Sequence, residues 1–284
     1  MYFTNITYSH EHMVIDLTAG KNNPDCYLNY LEEAVDEIKH LYNLGVRRII
    51  DCSNHGLGVS WETNKKIEEL TNVEIVNSTG FYKDPFLPDY FETLSVEELA
   101  EIMIKDIHNG AKIIGEIGTS KNEMTNNEKK LFEAACIAHK QTNAIIITHT
   151  TLGSYALEQL QFFKERGIDL NKVIISHVAL ANNFEIILEL VKNGVNVAFD
   201  TIGKLNYLDD ETRIQFIKQL CELGYKKQIL MSMDLTRQSH LKKNGGNGLA
   251  YLLENFVPRC IEYGVKEEDI KIILSENFER ILKR

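Results

Sequence analysis

Short runs of β-branched and aliphatic residues alternate along this chain with longer amphipathic segments, and the alternation repeats eight times. The short runs have the length of strands, whereas the longer segments place apolar side chains three and four positions apart, as on a buried helix face. The predicted strands lie around Thr7–Ile15, Arg48–Cys52, Glu74–Thr79, Lys112–Ile117, Ala144–His149, Lys172–His177, Asn196–Asp200 and Gln228–Met233.

The segments between these strands are predicted to be helical, namely Tyr30–Leu44, Trp61–Thr71, Val96–His108, 126–141, 155–166, 183–193, 211–223 and 249–263. Strands and helices that alternate eight times indicate an α/β fold, the (β/α)8 TIM barrel. We expect residues 1–284 to form a single domain. The tail Glu267–Leu282 is predicted to be an additional C-terminal helix that covers the last barrel helix.

Composition narrows the class of protein. A formal charge of −10 over 284 residues argues against nucleic acid or an anionic membrane surface as a partner. No apolar run approaches the roughly 20 residues of a membrane span, and no leader segment is recognisable at the start. The five cysteines lack paired spacing, which is typical of a reducing compartment, so we expect a cytoplasmic protein.

The first predicted strand contains a His-x-His motif. Side chains two positions apart on a strand share a face, so His10 and His12 point the same way and Glu11 points away. Two imidazoles held side by side can bind one metal ion. The motif is weak alone, because such pairs also occur by chance.

Polar residues close four further apolar runs, at Glu116, His149, His177 and Asp234. Each alone is explained by a structural hydrogen bond or ion pair. In a TIM barrel, however, the C-terminal strand ends meet at one rim and carry the chemistry. With the histidine pair of the first strand they supply four imidazoles and two carboxylates, the ligand set of a two-metal site. Carboxylates buried together would be costly without cations.

The motifs around these residues resemble the phosphotriesterase family of metal-dependent hydrolases, in the amidohydrolase superfamily. The resemblance covers nearly the whole chain. It is carried by Ser9-His10-Glu11-His12, Gly115-Glu116-Ile117-Gly118-Thr119-Ser120, Ile147-Thr148-His149-Thr150, Ser176-His177, Phe199-Asp200-Thr201-Ile202-Gly203-Lys204, Met231-Ser232-Met233-Asp234-Leu235-Thr236-Arg237 and Gly245-Gly246.

The resemblance implies roles for the metal-binding residues and makes a homodimer plausible. Glu116 would bridge two ions, although most of the family uses a carboxylated lysine there. Val59 is a second departure, at a place where the family commonly has arginine. His10, His12 and Asp234 would bind the more buried ion, and His149 and His177 the more exposed one.

Two divalent ions, with zinc favoured by the imidazoles, would activate a bridging hydroxide, and Asp234 would accept its proton. The predicted function is hydrolysis of an ester or lactone, with a phosphorylated sugar lactone as one candidate substrate. The alternatives are a phosphoester or phosphotriester hydrolase, a deaminase, which would normally use one metal, and a non-catalytic metal-containing barrel that binds a ligand.

The substrate pocket is predicted from residues that follow the strands at the same rim, and its cations would suit a small anionic substrate. Lys242 and Lys243 are equally well explained as a solvated loop face. His55 and His240 are further candidates to line the pocket. The tentative substrate-binding residues are Tyr82, Lys204, Tyr207, Arg237, Lys242 and Lys243.

Overall fold

The computed structural model describes residues 3–283, so Met1, Tyr2 and Arg284 of the expected domain lie outside the described residues. Its strands are β1 Ile6–Glu11, β2 Val14–Asp16, β3 Tyr27–Asn29, β4 Val46–Asp51, β5 Glu74–Val76, β6 Ser78–Thr79, β7 Ile113–Thr119, β8 Ile145–Thr150, β9 Val173–Ile175, β10 Asn196–Phe199 and β11 Ile229–Met231.

Apart from β2 and β3, these strands pair in parallel and in chain order. One sheet has the order β1-β4-β5 and a second has the order β11-β10-β9-β8-β7-β6. Strands β5 and β6 are the two parts of the predicted third strand, which breaks at Asn77. At the far edge β1 lies beside β11, and the Ser9 hydroxyl donates to the Met231 carbonyl. The α/β fold with parallel strands is therefore confirmed.

The first strand is shorter than predicted. Thr7–Ile15 is interrupted after Glu11, and β2 leaves the parallel sheet to pair with β3 in an antiparallel hairpin. The hydrogen bond from Tyr30 N to Met13 O continues this pairing. His12 consequently lies just beyond β1, in the bend between the two strands.

Helices follow most of the strands and bury one face each, and several begin at a side chain that caps their first amides. Ser95 and Thr125 each form a complete capping box. The helices are α1 Thr18–Lys21, α2 Tyr30–Glu33, α3 Val35–Asn43, α4 Trp61–Thr71, α5 Val96–His108, α6 Asn126–Thr142, α7 Ala156–Glu165, α8 Phe184–Lys192, α9 Asp210–Glu222, α10 Val257–Glu262, α11 Glu267–Lys271 and α12 Asn277–Lys283, with π-helical turns at Leu252–Phe256 and Ile272–Glu276.

The C-terminal helix exists, but its predicted position is wrong. Phe278 and Ile281 of α12 do not cover the last barrel helix. They pack into a cluster with inward-facing strand residues such as Ile113, Ile145 and Leu230. Because Ile113 and Ile145 begin their strands, α12 lies across the N-terminal ends of the sheet, opposite the ends predicted to carry the chemistry.

No helix among residues 3–283 is both long and apolar enough to cross a membrane.

Candidate metal centre

The six predicted metal-binding residues come together at the C-terminal ends of the parallel strands. His10 is the last residue but one of β1 and His12 follows that strand, whereas Glu116 and His149 lie within β7 and β8. His177 and Asp234 follow their strands with positive φ values of 61° and 50°. This backbone conformation is uncommon for residues other than glycine and marks a local constraint.

The first group of ligand atoms is formed by His10, His12 and Asp234, which could together hold one ion. The distance from Asp234 Oδ1 to Nε2 is 3.9 Å for His10 and 3.4 Å for His12. Glu116 Oε1 lies 3.3 Å from His12 Nε2. All four side chains are at most 10% exposed, so these atoms face one another in the protein interior.

The second group is formed by Glu116, His149 and His177. Glu116 Oε2 lies 3.2 Å from His149 Nδ1 and 3.5 Å from His177 Nε2. The two imidazoles are themselves 2.9 Å apart through these nitrogens. Glu116 thus lies between the two groups: Oε1 faces His12 of the first, and Oε2 faces both imidazoles of the second and also lies 3.5 Å from His10 Nε2.

The donor set fits divalent cations. Two nitrogen or oxygen ligands of one tetrahedral ion lie roughly 3.4 Å apart when each is about 2.0–2.1 Å from it. The distances of 3.2–3.5 Å from Glu116 to His10, His12, His149 and His177 match that separation. In addition, Nε2 of both His10 and His12 is buried and has no hydrogen-bond partner among residues 3–283, and such atoms are rare in folded proteins.

The electrostatics of the cluster also favour added positive charge. Burial raises the pKa of Glu116, but the neighbouring imidazoles, His10 first among them, outweigh it and hold that pKa well below its ordinary value. Burial lowers the pKa of His12, yet the nearby carboxylates of Asp234 and Glu116 raise it to about 9. The carboxylates therefore attract a positive charge strongly, and a divalent ion would supply it in place of protons.

Asp200 contacts two of the candidate ligands, and the sequence analysis assigned it no role. It is fully buried, and its carboxylate lies 2.8 Å from His177 Nδ1 and 3.2 Å from His10 Nδ1. A carboxylate that accepts from Nδ1–H fixes the tautomer in which Nε2 is free to bind a metal. Its place directly after the apolar run of β10 was the available signal, as it was for the predicted ligands.

Hydroxyl groups and Glu11 fix the rest of the cluster. His12 Nδ1 lies 3.1 Å from Ser53 Oγ, and His10 Nδ1 lies 3.0 Å from Ser176 Oγ. Glu11 points away from the histidines, as predicted, and accepts hydrogen bonds from Ser232 Oγ and from two backbone amides of the segment that carries Asp234. This links the first strand to the last at the level of the site.

A cavity of about 200 Å³ opens beside the cluster and is lined by Glu116, His149, His177 and Asp234. The Tyr82 hydroxyl lies 3.2 Å from His149 Nδ1, and Lys204 Nζ donates to Asp234 Oδ2. Of the tentative substrate-binding residues, those that line the cavity are Tyr82, Lys204, Tyr207 and Arg237; His240 lines it as well.

Lys242 and Lys243 lie elsewhere, and their placement in the pocket was wrong. They line a separate groove against α2 and α3. Lys243 Nζ binds the Glu33 carboxylate at 2.5 Å, and the Lys242 amide donates to Glu37. These acidic partners hold the loop away from the metal centre. His55 also faces a different cavity, where it pairs with Asp106 at 2.8 Å.

The model of the phosphotriesterase family matches residues 4–282. The chain belongs to the phosphotriesterase family. It is 40% identical to the phosphotriesterase homology protein of Escherichia coli strain K12 over 281 residues, 96% of each chain. The family resemblance inferred from the motifs is thereby confirmed.

Solved structures of this family superpose closely on the chain. A crystal structure of the E. coli protein with phosphate in its active site gives a TM-score of 0.96 at 39% identity and covers 99% of this chain and 100% of that one. A lactonase from Listeria monocytogenes gives a TM-score of 0.92 at 27% identity, over 98% and 94% of the two chains.

More distant relatives share the family with a different stated activity. An N-acetyltaurine hydrolase from Dictyostelium discoideum is 30% identical over 93% of this chain and 76% of its own. Family membership and these neighbours show that the chain is a hydrolase, as predicted from the sequence.

Proposed function

We propose that this chain is a binuclear metal-dependent hydrolase of esters, with a lactone as its substrate. The observation that supports two ions over one is the position of Glu116 between the two ligand groups. Its Oε1 faces His12 in the first group. Its Oε2 faces His149 and His177 in the second group and also lies 3.5 Å from His10 Nε2 of the first. A deaminase that works with one metal has no need of this second group.

The ions would be held by the residues of the two groups, with His10, His12 and Asp234 at one and His149 and His177 at the other. When bound, two divalent ions would lower the pKa of a water molecule and polarise the substrate oxygen. Four imidazoles favour zinc.

We also propose that the sheet closes between β1 and β11 into a complete (β/α)8 barrel.

The chain's own side chains would position the reactants and move the proton. Asp234 is proposed to accept the proton of the attacking water. Lys204 donates to Asp234 Oδ2 and would hold this carboxylate in place. The Tyr82 hydroxyl, beside His149, could donate a hydrogen bond to a substrate oxygen in the cavity.

A lactone substrate is supported by the Listeria lactonase, which superposes over nearly the whole chain. A phosphorylated sugar lactone would also suit the cations of the cavity. The second candidate function is phosphoester hydrolysis, favoured by the phosphate in the active site of the E. coli protein. The amide bond of the Dictyostelium relative's stated substrate belongs in the same screen.

The first experiment is metal analysis of protein that was purified without chelators and supplied with zinc. We expect about two zinc ions per chain, and fewer in Glu116→Ala, because that change removes the carboxylate that belongs to the second group and faces His12 of the first. Asp36→Ala is a matched control, since Asp36 is an exposed carboxylate on α3. One ion or none in the wild type would contradict the proposed centre.

The reaction class is tested by assaying the zinc-loaded protein on γ- and δ-lactones, paraoxon, phosphomonoesters and N-acetyltaurine. We expect the highest kcat/KM on a lactone. Faster turnover of paraoxon or a phosphomonoester would replace the lactonase proposal with phosphoester hydrolysis. If metal removal unfolds the protein and the loaded form hydrolyses none of these compounds, the non-catalytic barrel is the better description.

A further inference from the structure

Four lysine and arginine side chains line the cavity beside the metal centre, two of them near a carboxylate of residues 3–283 and two not. Lys204 pairs with Asp234, and Arg237 lies 3.8 Å from Asp25. Lys21 and Lys83 line the same cavity, and neither lies within ion-pair distance of a carboxylate of the described residues. The positive charge that remains free for a ligand is therefore concentrated on these two lysines.

Lys83 is held in the interior close to the second ligand group. It is only 9% exposed, and its Nζ donates to the Asp84 carbonyl at 2.7 Å. Its stem crosses Gly118: a Cβ built there would lie 2.9 Å from Lys83 Cδ and 3.2 Å from His149 Cβ. Burial lowers the pKa of Lys83, against the opposing effect of the Glu128 carboxylate, which reflects the cost of keeping an ammonium group in the interior.

Lys21 lies beside the same aromatic ring as Lys83. The ring centroid of Phe86 lies 5.7 Å from Lys21 Nζ and 5.9 Å from Lys83 Nζ. Helix α1 is seated directly on this ring, because a Cβ at Gly20 would lie 2.2 Å from Phe86 Cε1. The close approach fixes the end of α1, and with it the stem of Lys21, beside the cavity.

We propose that Lys83, assisted by Lys21, forms an anion subsite that binds a carboxylate, phosphate or sulfonate substituent of the substrate on the His149 side of the metal centre. An ammonium group carries three donors, and the described residues accept one from Lys83, so donors remain for a ligand. The subsite rests on the proposed hydrolase function, since it selects among substrates for that centre.

The subsite predicts that a second anionic group raises the affinity of a small carboxylate. The test is calorimetric titration of the zinc-loaded protein with butyrate and with glutarate, which has a second carboxylate at the far end. We expect glutarate to bind about tenfold more tightly, the gain typical of a charge-assisted hydrogen bond. Titrations with 4-phosphonobutyrate and 4-sulfobutyrate then show which anion the subsite prefers.

The decisive variant is Lys83→Met, which keeps an unbranched stem across Gly118 and removes the charge. It should abolish the difference between glutarate and butyrate and leave butyrate binding unchanged within about twofold. Lys83→Arg should keep most of the difference. Lys243→Met is the matched control, because that lysine lies in the separate groove. Lys21→Met provides a second, more exposed variant and should remove part of the difference.

Equal affinity of the wild type for glutarate and butyrate would overturn the subsite, as would a Lys83→Met protein that still discriminates between them. Failure of the hydrolase proposal is distinguished by the metal content and by the lactone assay, neither of which depends on the second carboxylate. In an active enzyme, Lys83→Met should lower kcat/KM about tenfold on a lactone that carries a carboxylate, and less than threefold on its carboxamide analogue.

Discussion

The replacement Asp200→Asn tests how the metal-binding histidines are oriented. Asp200 Oδ1 accepts from the amide of His177 at 3.0 Å and lies 2.8 Å from Nδ1 of the same residue. Its Oδ2 faces His10 Nδ1 at 3.2 Å. An asparagine that keeps its oxygen at His177 must turn its NH2 group toward His10. His10 would then have to accept at Nδ1 and carry its proton on Nε2, the atom that should bind the metal.

The size of the effect follows from these contacts. Loss of an outer carboxylate that orients a histidine ligand typically costs 10–100-fold in metal affinity, about 1.4–2.7 kcal/mol. Ser176 Oγ already forms a hydrogen bond of 3.0 Å with His10 Nδ1 and would still hold this ring in the variant, which limits the loss. We therefore expect zinc affinity in Asp200→Asn to fall by about 10–100-fold at the group that contains His10.

The assay is competition for zinc against a chromogenic chelator, with elemental analysis of the number of ions per chain. Asp209→Asn is the matched control: it makes the same chemical change at the exposed N-cap of α9, where asparagine caps as well as aspartate. Far-ultraviolet circular dichroism should show that both variants are folded. Two ions bound with wild-type affinity in Asp200→Asn would refute the assignment of Asp200 as the orienting carboxylate.

Three other expectations concern stability. Phe278→Ala removes a ring that is 2% exposed beneath the strands, so urea unfolding should show a loss of about 3–5 kcal/mol, whereas Leu70→Ala, at a residue 52% exposed, should change little; similar values for both would contradict the buried position of α12. Chelation of the metals should lower the Tm, because Glu116 and Asp234 would lose their cations in the interior, and an unchanged Tm would argue against bound metal. Burial raises the pKa of Asp106, but hydrogen bonds from His55 and Thr79 outweigh it and lower that pKa below its ordinary value. The wild type should therefore exceed Asp106→Asn in Tm at pH 7, and the gap should close as the pH falls below about 4, where the unfolded carboxyl and then the folded one become protonated; a gap that persists at low pH would exclude this ion pair as its source.

The elements that depend on local pattern were predictable. The runs around Ile113–Thr119 and Ile145–Thr150 are strands because β-branched side chains suit a buried parallel sheet, and this preference is visible within a few residues. Glu116 and His149 stood out because a polar residue at the end of such a run has no reason to be there unless it is paired. Their convergence followed from the parallel direction of the strands.

Other features depend on contacts between segments far apart in the chain. The bend after Glu11 is held by the hydrogen bonds that the Glu11 carboxylate accepts from Ser232 and Met233. These residues are more than 200 positions away, so the sequence around Glu11 does not indicate the bonds. The position of α12 is decided by the apolar strand residues against which Phe278 packs, and not by the amphipathic pattern of the helix itself.

The sequence by itself determined the strand and helix order, the six candidate ligands and the family, because each is encoded in short motifs and their spacing. Only the tertiary structure distinguished Lys83, which is buried with no carboxylate of residues 3–283 within ion-pair distance, from Lys243, which is paired with Glu33. It also revealed that Asp200 lies between His10 and His177. The physical reason is that the role of a charged side chain depends on which partner lies within a few ångströms, and that partner is brought there by folding.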